Sequence, residues 1–271
     1  MIANRSETLP AGRELVQVES LSHAYGSGAG ARLVLSDVRF SVVQGEFICI
    51  VGPSGAGKTT LLRCLAGLQQ PTSGRAVFDG REVDRPPSQL AVVFQDYSRS
   101  LMPWLSVFDN VALPLRSAGL GKEAQQERSL QALGEVGLAD VSKAYPWQLS
   151  GGMQQRVAIA RALAYRPAAV LMDEPFASVD AQTRADLEDL VLKVREHLGL
   201  TLLLVTHDID EAVYLADRVV VLSGSPASVA RIVDVPFGSA RDQLLTKATR
   251  EFAELRREVH EMIRRPAGAA K

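Results

Sequence analysis

The chain has 271 residues, enough for one or two domains, and its 46% hydrophobic and 23% charged content is that of a globular protein with a sizeable core. A formal net charge of -1 argues against an electrostatic nucleic-acid binder, which carries a strong basic excess. The two cysteines, Cys49 and Cys64, fit neither a zinc pattern nor a disulfide framework, so they read as small core residues in a reducing compartment.

In chain order, residues 1–14 lack the apolar segment of a secretory signal and are expected to be a flexible tail. No stretch approaches the ~20 apolar residues that cross a bilayer, so any membrane role must be borrowed from another chain. Over 15–43, short apolar runs on either side of the glycine-rich turn at 26–30 predict hairpin-like strands. Phe47-Ile48-Cys49-Ile50-Val51 has the composition of a buried parallel strand. Leu61, Leu62, Leu65 and Leu68 then recur at helical spacing. Residues 71–74 form a predicted turn, with strands expected at 75–78 and 90–94. From 95 to 150 the pattern is helical and punctuated by proline. Beyond it come a helix (153–164), a strand (168–172), a helix (181–198), a strand (201–205) and a helix (209–215). Strands alternating with helices imply a parallel sheet covered on both faces, here carrying a helical insert. In the last segment Leu245, Ala248, Phe252, Leu255, Val259 and Met262 step by three and four, which predicts an amphipathic helix. Packing against its own domain is the plain reading; regulation or self-association is the alternative.

Between the first buried strand and its helix lies Gly52-Pro53-Ser54-Gly55-Ala56-Gly57-Lys58-Thr59-Thr60, which fits the phosphate-binding loop G-x-x-x-x-G-K-[ST]. Small residues let backbone amides turn toward an anion, and the helix N-terminus adds the positive end of its dipole. Lys58 is placed to reach the β- and γ-phosphates, and Thr59 to offer a hydroxyl to magnesium. The later strand that runs to Asp173 and Glu174 supplies the other half of such a site. Asp173 can hold the metal through water and Glu174 can polarise an attacking water. His207, after the following strand, could bond the γ-phosphate or that water, although on chemistry alone it reads as a loop or core histidine.

Leu149-Ser150-Gly151-Gly152-Met153-Gln154-Gln155-Arg156 is a second helix-start anion site, with a hydroxyl and free amides. It makes sense beside one metal strand only if it serves another molecule's nucleotide. In this order, the phosphate loop, LSGGMQQR and the Asp173-Glu174-Pro175 sequence resemble the ATP-binding subunit of an ABC transporter. The resemblance runs from about 15 to 235.

That resemblance implies an α/β fold: a P-loop NTPase (RecA-like) core with a parallel sheet, an N-terminal antiparallel β subdomain and an inserted helical subdomain. The expected division is a tail at 1–14, an ATP-binding domain at 15–238 with the insert at about 96–155, and a helical tail at 239–271. Tyr25 matches the aromatic that stacks on adenine, and Gln95 the glutamine that ligates magnesium and senses the membrane partner. Ser150, Gly151 and Gly152, with Gln154 beside them, match the signature that caps the γ-phosphate held by the opposing subunit. Asp173 matches the metal-side aspartate, Glu174 the general base, Asp180 the inter-subunit aspartate and His207 the switch histidine. Ala177-Ser178-Val179-Asp180 departs from the usual Gly-Ala-Leu-Asp, so altered packing around a retained contact is expected.

Gln95-Asp96, Met102-Pro103-Trp104, the run from Asn110 to Leu115, Tyr145-Pro146 and Asp173-Glu174-Pro175-Phe176 resemble one branch, the importers of nitrate, sulfonate, taurine and related small anions. The resemblance then implies ATP and Mg2+ as ligands and a head-to-tail homodimer on transmembrane permease subunits. It also implies a periplasmic or extracytoplasmic solute-binding protein, no nucleic acid, and a peripheral place on the cytoplasmic face of the inner membrane. The alternatives are the ATPase of an exporter or a soluble, non-transport ABC ATPase.

Overall fold

Ten strands join into one sheet in this computed structural model, which describes residues 12–26, 28–96, 100–238 and 240–264. The first two strands, β1 (Glu14–Tyr25) and β2 (Arg32–Val43), form an antiparallel pair. The phosphate-loop strand β3 (Phe47–Val51) leads to helix α1 (Lys58–Leu65). Strands β4 (Ser73–Phe78) and β5 (Arg81–Glu82) extend the antiparallel side, and β6 (Leu90–Val93) returns to the parallel side. The insert carries α2 (Val107–Ser117) and α3 (Lys122–Glu135), and α4 (Gly151–Ala164) leads back to β7 (Ala169–Asp173). Then follow α5 (Ala181–Leu198), β8 (Thr201–Val205), α6 (Ile209–Leu215), the antiparallel pair β9 (Arg218–Gly224) and β10 (Ala227–Asp234), and α7 (Arg250–Arg264).

The strand order is β5-β4-β1-β2-β10-β9-β3-β8-β7-β6, and the five strands from β9 to β6 are parallel. Every residue of β3, β7 and β8 is buried, as expected of parallel strands covered on both faces. The pleat sends alternate residues of β3 into two cores. Phe47, Cys49 and Val51 pack with α4, α5, α6 and α7, while Ile48 and Ile50 pack with α1 and the β1–β2 layer. Both cysteines are buried and free, as their spacing implied.

The antiparallel layer and the parallel core form one continuous sheet through β10, which pairs with β9 on one side and β2 on the other. Neither β9 nor β10 was among the strands expected from the sequence. Of the tail expected at 1–14, residues 1–11 lie outside those described, Arg13 O accepts from Gln44 N–H at 2.9 Å, and β1 starts at Glu14. The turn expected at 71–74 already belongs to β4 from Ser73. Gly74, at φ +71, takes the strand so close to Ser20 that a Cβ would lie 2.1 Å from its carbonyl oxygen.

The helical stripe predicted from Leu245 is corrected to a helix starting at Arg250. Leu245 is 74% exposed, and Asp242 Oδ1 accepts the amides of Leu244 and Leu245 in a local turn. Thr249 Oγ1 then accepts from Phe252 N–H at 3.2 Å and caps the true helix start. Phe252 and Val259 are its buried anchors. Of the expected tail at 239–271, Ser239 and 265–271 lie outside the described residues, as do 97–99 of the expected insert.

Candidate active site

The loop after β3 keeps its shape because two of its positions admit no side chain. A Cβ on Gly52 would lie 2.8 Å from Leu222 O, and one on Gly57, at φ +81, would lie 2.7 Å from Val34. Only glycine combines that backbone with that proximity. Gly57 caps α1 without a side-chain bond, so the first amides of the helix face the loop unpaired by a cap. Pro53 O accepts from Ala56 N–H at 3.1 Å, and Ser54 and Gly55 form the exposed crest.

Lys58, the first residue of α1, is 7% exposed and donates to Gly52 O at 2.9 Å and Pro53 O at 3.2 Å. Burial lowers its pKa, and the nearby carboxylates of Glu174 and Asp173 act in the opposite direction. Thr59 donates its hydroxyl to Asp173 Oδ1 at 3.2 Å, tying α1 to the end of β7. Burial raises the Asp173 pKa and the Thr59 bond opposes the rise. Thr60 Oγ1 lies 3.0 Å from the Tyr25 hydroxyl, which places the β1 tyrosine beside the loop with its ring edge-on to His23 at 4.8 Å.

Strands β6, β7 and β8 are neighbours, and Gln95, Glu174 and His207 follow their carboxyl ends. Crevices outside the carboxyl ends of parallel strands are where such sheets bind ligands. Glu174 Oε2 lies 3.3 Å from Gln95 Nε2 and 3.1 Å from His207 Nδ1. Adjacent residues of a strand face opposite ways, yet Asp173 and Glu174 both act on Lys58. The backbone resolves this at Glu174, whose φ of +44 leaves the strand while its N–H still donates to Val205 O at 2.8 Å. A non-glycine residue held there costs about 1–3 kcal/mol, strain of the kind concentrated at functional sites.

The Thr59 hydroxyl, the Asp173 carboxylate and the Gln95 amide offer an all-oxygen set that suits a hard cation such as Mg2+. Among the described residues no three His, Cys, Asp or Glu side chains form a cation cage.

Ser150 caps α4 and accepts from Met153 N–H at 3.3 Å, with its side chain and Gly151 exposed. Gln154 Nε2 donates to Pro146 O at 3.0 Å and Leu149 O at 3.3 Å, bonds that fix the approach to the helix. Asp180 caps α5, accepting from the Thr183 amide at 3.0 Å and hydroxyl at 2.7 Å, and the amide bond first of all holds its carboxyl below the usual range. Gly152 is buried against that same threonine: a Cβ would lie 2.4 Å from Thr183 Cγ2. The Ser150 and Asp180 helix starts therefore pack against each other.

Sequence reasoning passed over Thr206, Asp208, Glu211 and Arg184, which surround His207. Asp208 before an acidic first turn is a helix-start pattern that could have flagged the first of these contacts.

The ABC transporter family matches residues 35–177, which include the glycine loop, Gln95, the Ser150 helix and both carboxylates. The chain belongs to the ABC transporter ATP-binding family. It is therefore an ATPase subunit of the P-loop NTPase class, coupled to transport. It is 44% identical over 249 residues to an ABC transporter ATP-binding protein of Methanocaldococcus jannaschii, covering 92% of this chain and 91% of that one. A nitrate import ATP-binding protein of Synechococcus elongatus is 42% identical over 87% of this chain and 86% of its own. A taurine import ATP-binding protein of Sinorhizobium fredii is 47% identical over 82% and 81%. Among solved structures, a dimeric ATP-binding cassette in a post-hydrolysis state with ADP and phosphate aligns with a TM-score of 0.71 and 32% identity. That alignment covers 82% of this chain and 99% of the other. Among the described residues of this ABC ATPase, no helix is long and apolar enough to cross a membrane.

Proposed function

We propose that this ABC ATPase powers uptake of a small anion such as nitrate, a sulfonate or taurine, working as a head-to-tail homodimer beneath separate permease subunits. The observation that carries the hydrolytic part is the convergence of Gln95 and His207 on Glu174 Oε2, beside the Lys58–Thr59–Asp173 cluster. Glu174 takes a proton from water as its oxygen attacks the γ-phosphorus in line. The bond from that phosphorus to the β–γ bridging oxygen breaks, and ADP and phosphate leave. Lys58 and the amides from Ser54 to Thr60 balance the phosphate charge, and Tyr25 stacks on the adenine, a contact worth about 1–3 kcal/mol. Thr59, Asp173 and Gln95 would hold Mg2+, which when bound neutralises charge on the β- and γ-phosphates.

Ser150, Gly151 and Gly152, with Gln154 fixing their approach, serve the nucleotide of the second copy, and Asp180 meets that copy across the same surface. The hydrogen bonds of Ser150 and Gln154 are local, and Ser150 is exposed, which supports a partner from outside the chain. The dimeric cassette bound to ADP and phosphate supports the same arrangement. The nitrate and taurine relatives support the importer branch, with a solute-binding protein outside the membrane and this chain peripheral on the cytoplasmic face. No role with nucleic acid is assigned.

Glu174→Gln tests the catalytic reading. It should lower ATP turnover by about a hundredfold or more, the usual scale of a lost general base, and should collect ATP-bound dimers in gel filtration. Normal turnover would remove Glu174 from the role. For the importer branch, the chain should co-purify with a channel-forming subunit, and ATPase activity of the reconstituted complex should rise with loaded nitrate- or taurine-binding protein. Stimulation by neither would place the chain outside this branch.

A further inference from the structure

His207 is exposed, yet both of its neighbours are pinned. Thr206, 2% exposed, donates its hydroxyl to Glu211 Oε2 at 2.7 Å, and Thr206 Oγ1 in turn accepts from Asp208 N–H at 3.0 Å. Asp208 Oδ1 caps α6, accepting the amides of Asp210 at 2.9 Å and Glu211 at 3.2 Å. Its other oxygen accepts from Arg184 Nη1 at 3.2 Å, and Arg184 Nε stands 3.7 Å from Glu211 Oε1. Glu211, Thr206, Asp208 and Arg184 thus close a ring around the backbone that presents His207 to Glu174.

We propose that Glu211 is the positioning residue for His207: its carboxylate orients the Thr206 hydroxyl and Arg184, which together fix the chain on both sides of the imidazole. This rests on the reading that His207 acts at the triphosphate site. Glu211 is 4% exposed in a seven-residue helix, a place where a carboxylate is costly and an apolar residue would pack without that penalty.

The charges around Glu211 agree. Asp208 from the loop, and Arg184 and Glu188 from α5, face it; Asp210 on its own helix pairs with Arg256 of α7, and Glu188 with Lys247. Burial pushes the Glu211 carboxyl up to about 7; the Thr206 hydroxyl and Arg184 pull it down, while Asp208 and Glu188 add to the rise. The charged carboxylate only accepts, which holds the Thr206 hydroxyl as donor; a protonated Glu211 could donate to Thr206 Oγ1 and turn that hydroxyl away, so the charged form is the working one. The sign for stability is opposite. With a folded pKa above the ordinary 4.5, the folded chain holds more protons than the unfolded one, so this residue's contribution falls as pH rises from about 4.5 to about 7.

The test uses the full chain and compares wild type, Glu211→Gln, His207→Ala and the double variant for ATPase from pH 6 to 9, with thermal unfolding at pH 8. Glu211→Gln should lower kcat by about tenfold, within the hundredfold that a misplacement of about 1 Å can cost. It should leave KM for ATP within about twofold, the pattern of an interaction not used in ground-state binding. Its unfolding midpoint at pH 8 should equal or exceed that of wild type, which a merely structural carboxylate would not allow. The wild-type loss of kcat on acidification through about pH 7 should be absent from Glu211→Gln while His207 is still in place. The double variant should be no slower than His207→Ala. Should Glu211→Gln fold poorly, Thr206→Val should show the same loss and Thr206→Ser should restore it. Wild-type kcat in Glu211→Gln, or full additivity with an impaired His207→Ala, overturns this proposal alone. Wild-type kcat in His207→Ala overturns the reading of the site and this proposal with it.

Discussion

The glycine loop and the Ser150 segment each open a helix with small residues, and their surroundings are finished to different degrees. At the loop, Lys58 is buried, Thr59 is already bonded to Asp173, and Gly52 and Gly57 are enclosed by Leu222 and by Val34 and Leu35. At the other start, Ser150 and Gly151 face solvent, and the Ser150 hydroxyl accepts from its own helix at Met153. A charged group organised in advance by burial and by neighbours from other strands gives a site that binds by itself. An exposed cap with free amides needs a second body to remove its water. The difference is what the proposed pairing of two copies needs: one helix start organised within the chain and another left open to a second body.

Substitutions can break that contrast, and the largest effect is expected on the buried side. Lys58→Ala removes charge-assisted hydrogen bonds worth about 1.5–3 kcal/mol, so ATP affinity should fall by about 10–100-fold. Because the bound ATP would bridge two copies, ATP-dependent dimerisation should fall with it; titration calorimetry and gel filtration read the two quantities. Dimerisation at wild-type ATP concentrations in this variant would mean that the nucleotide does not join the pair.

Gly152→Ala attacks the seam between the exposed helix start and Asp180. Its methyl would meet Thr183 Cγ2 at 2.4 Å, and such overpacking costs about 1–3 kcal/mol. Urea unfolding should show that loss, and pairing Gly152→Ala with Thr183→Ser should recover most of it. Failure to recover would put the strain elsewhere.

The smallest effect on the fold should come from Ser150→Ala. Losing an N-cap costs about 1 kcal/mol, yet ATP-dependent dimerisation should weaken while ATP binding to the monomer stays as in wild type. A loss of monomer binding would sharpen the comparison in the other direction, by making Ser150 part of the local cradle.

Much of the buried half was legible before folding was considered. The glycine spacing, the lysine and threonine that follow, and the apolar strand before them encode a loop whose geometry is local, so Lys58 and Thr59 fall where the pattern puts them. The Asp173–Glu174 pair could be read as a strand end, but not the positive φ at Glu174 that turns its backbone out of the strand just after Asp173. Glu211 was not legible at all, because a glutamate in the first turn of a short helix is ordinary until Thr206 and Arg184 are seen around it. The helix predicted from Leu245 erred for a related reason: periodicity does not register Asp242 diverting the chain into a turn.

What the sequence by itself determined was local chemistry: which segments alternate as strand and helix, where the glycine loop and the Ser150 helix begin, and which motifs mark the family. Those depend on contacts within a few residues and on backbone freedom at single glycines. Only the tertiary structure decided the order of ten strands, the single sheet closed through β10, and the meeting of Gln95, Glu174 and His207. Residues 79 and 33 positions apart become neighbours because their strands are hydrogen-bonded side by side in one direction, and no local pattern records that pairing.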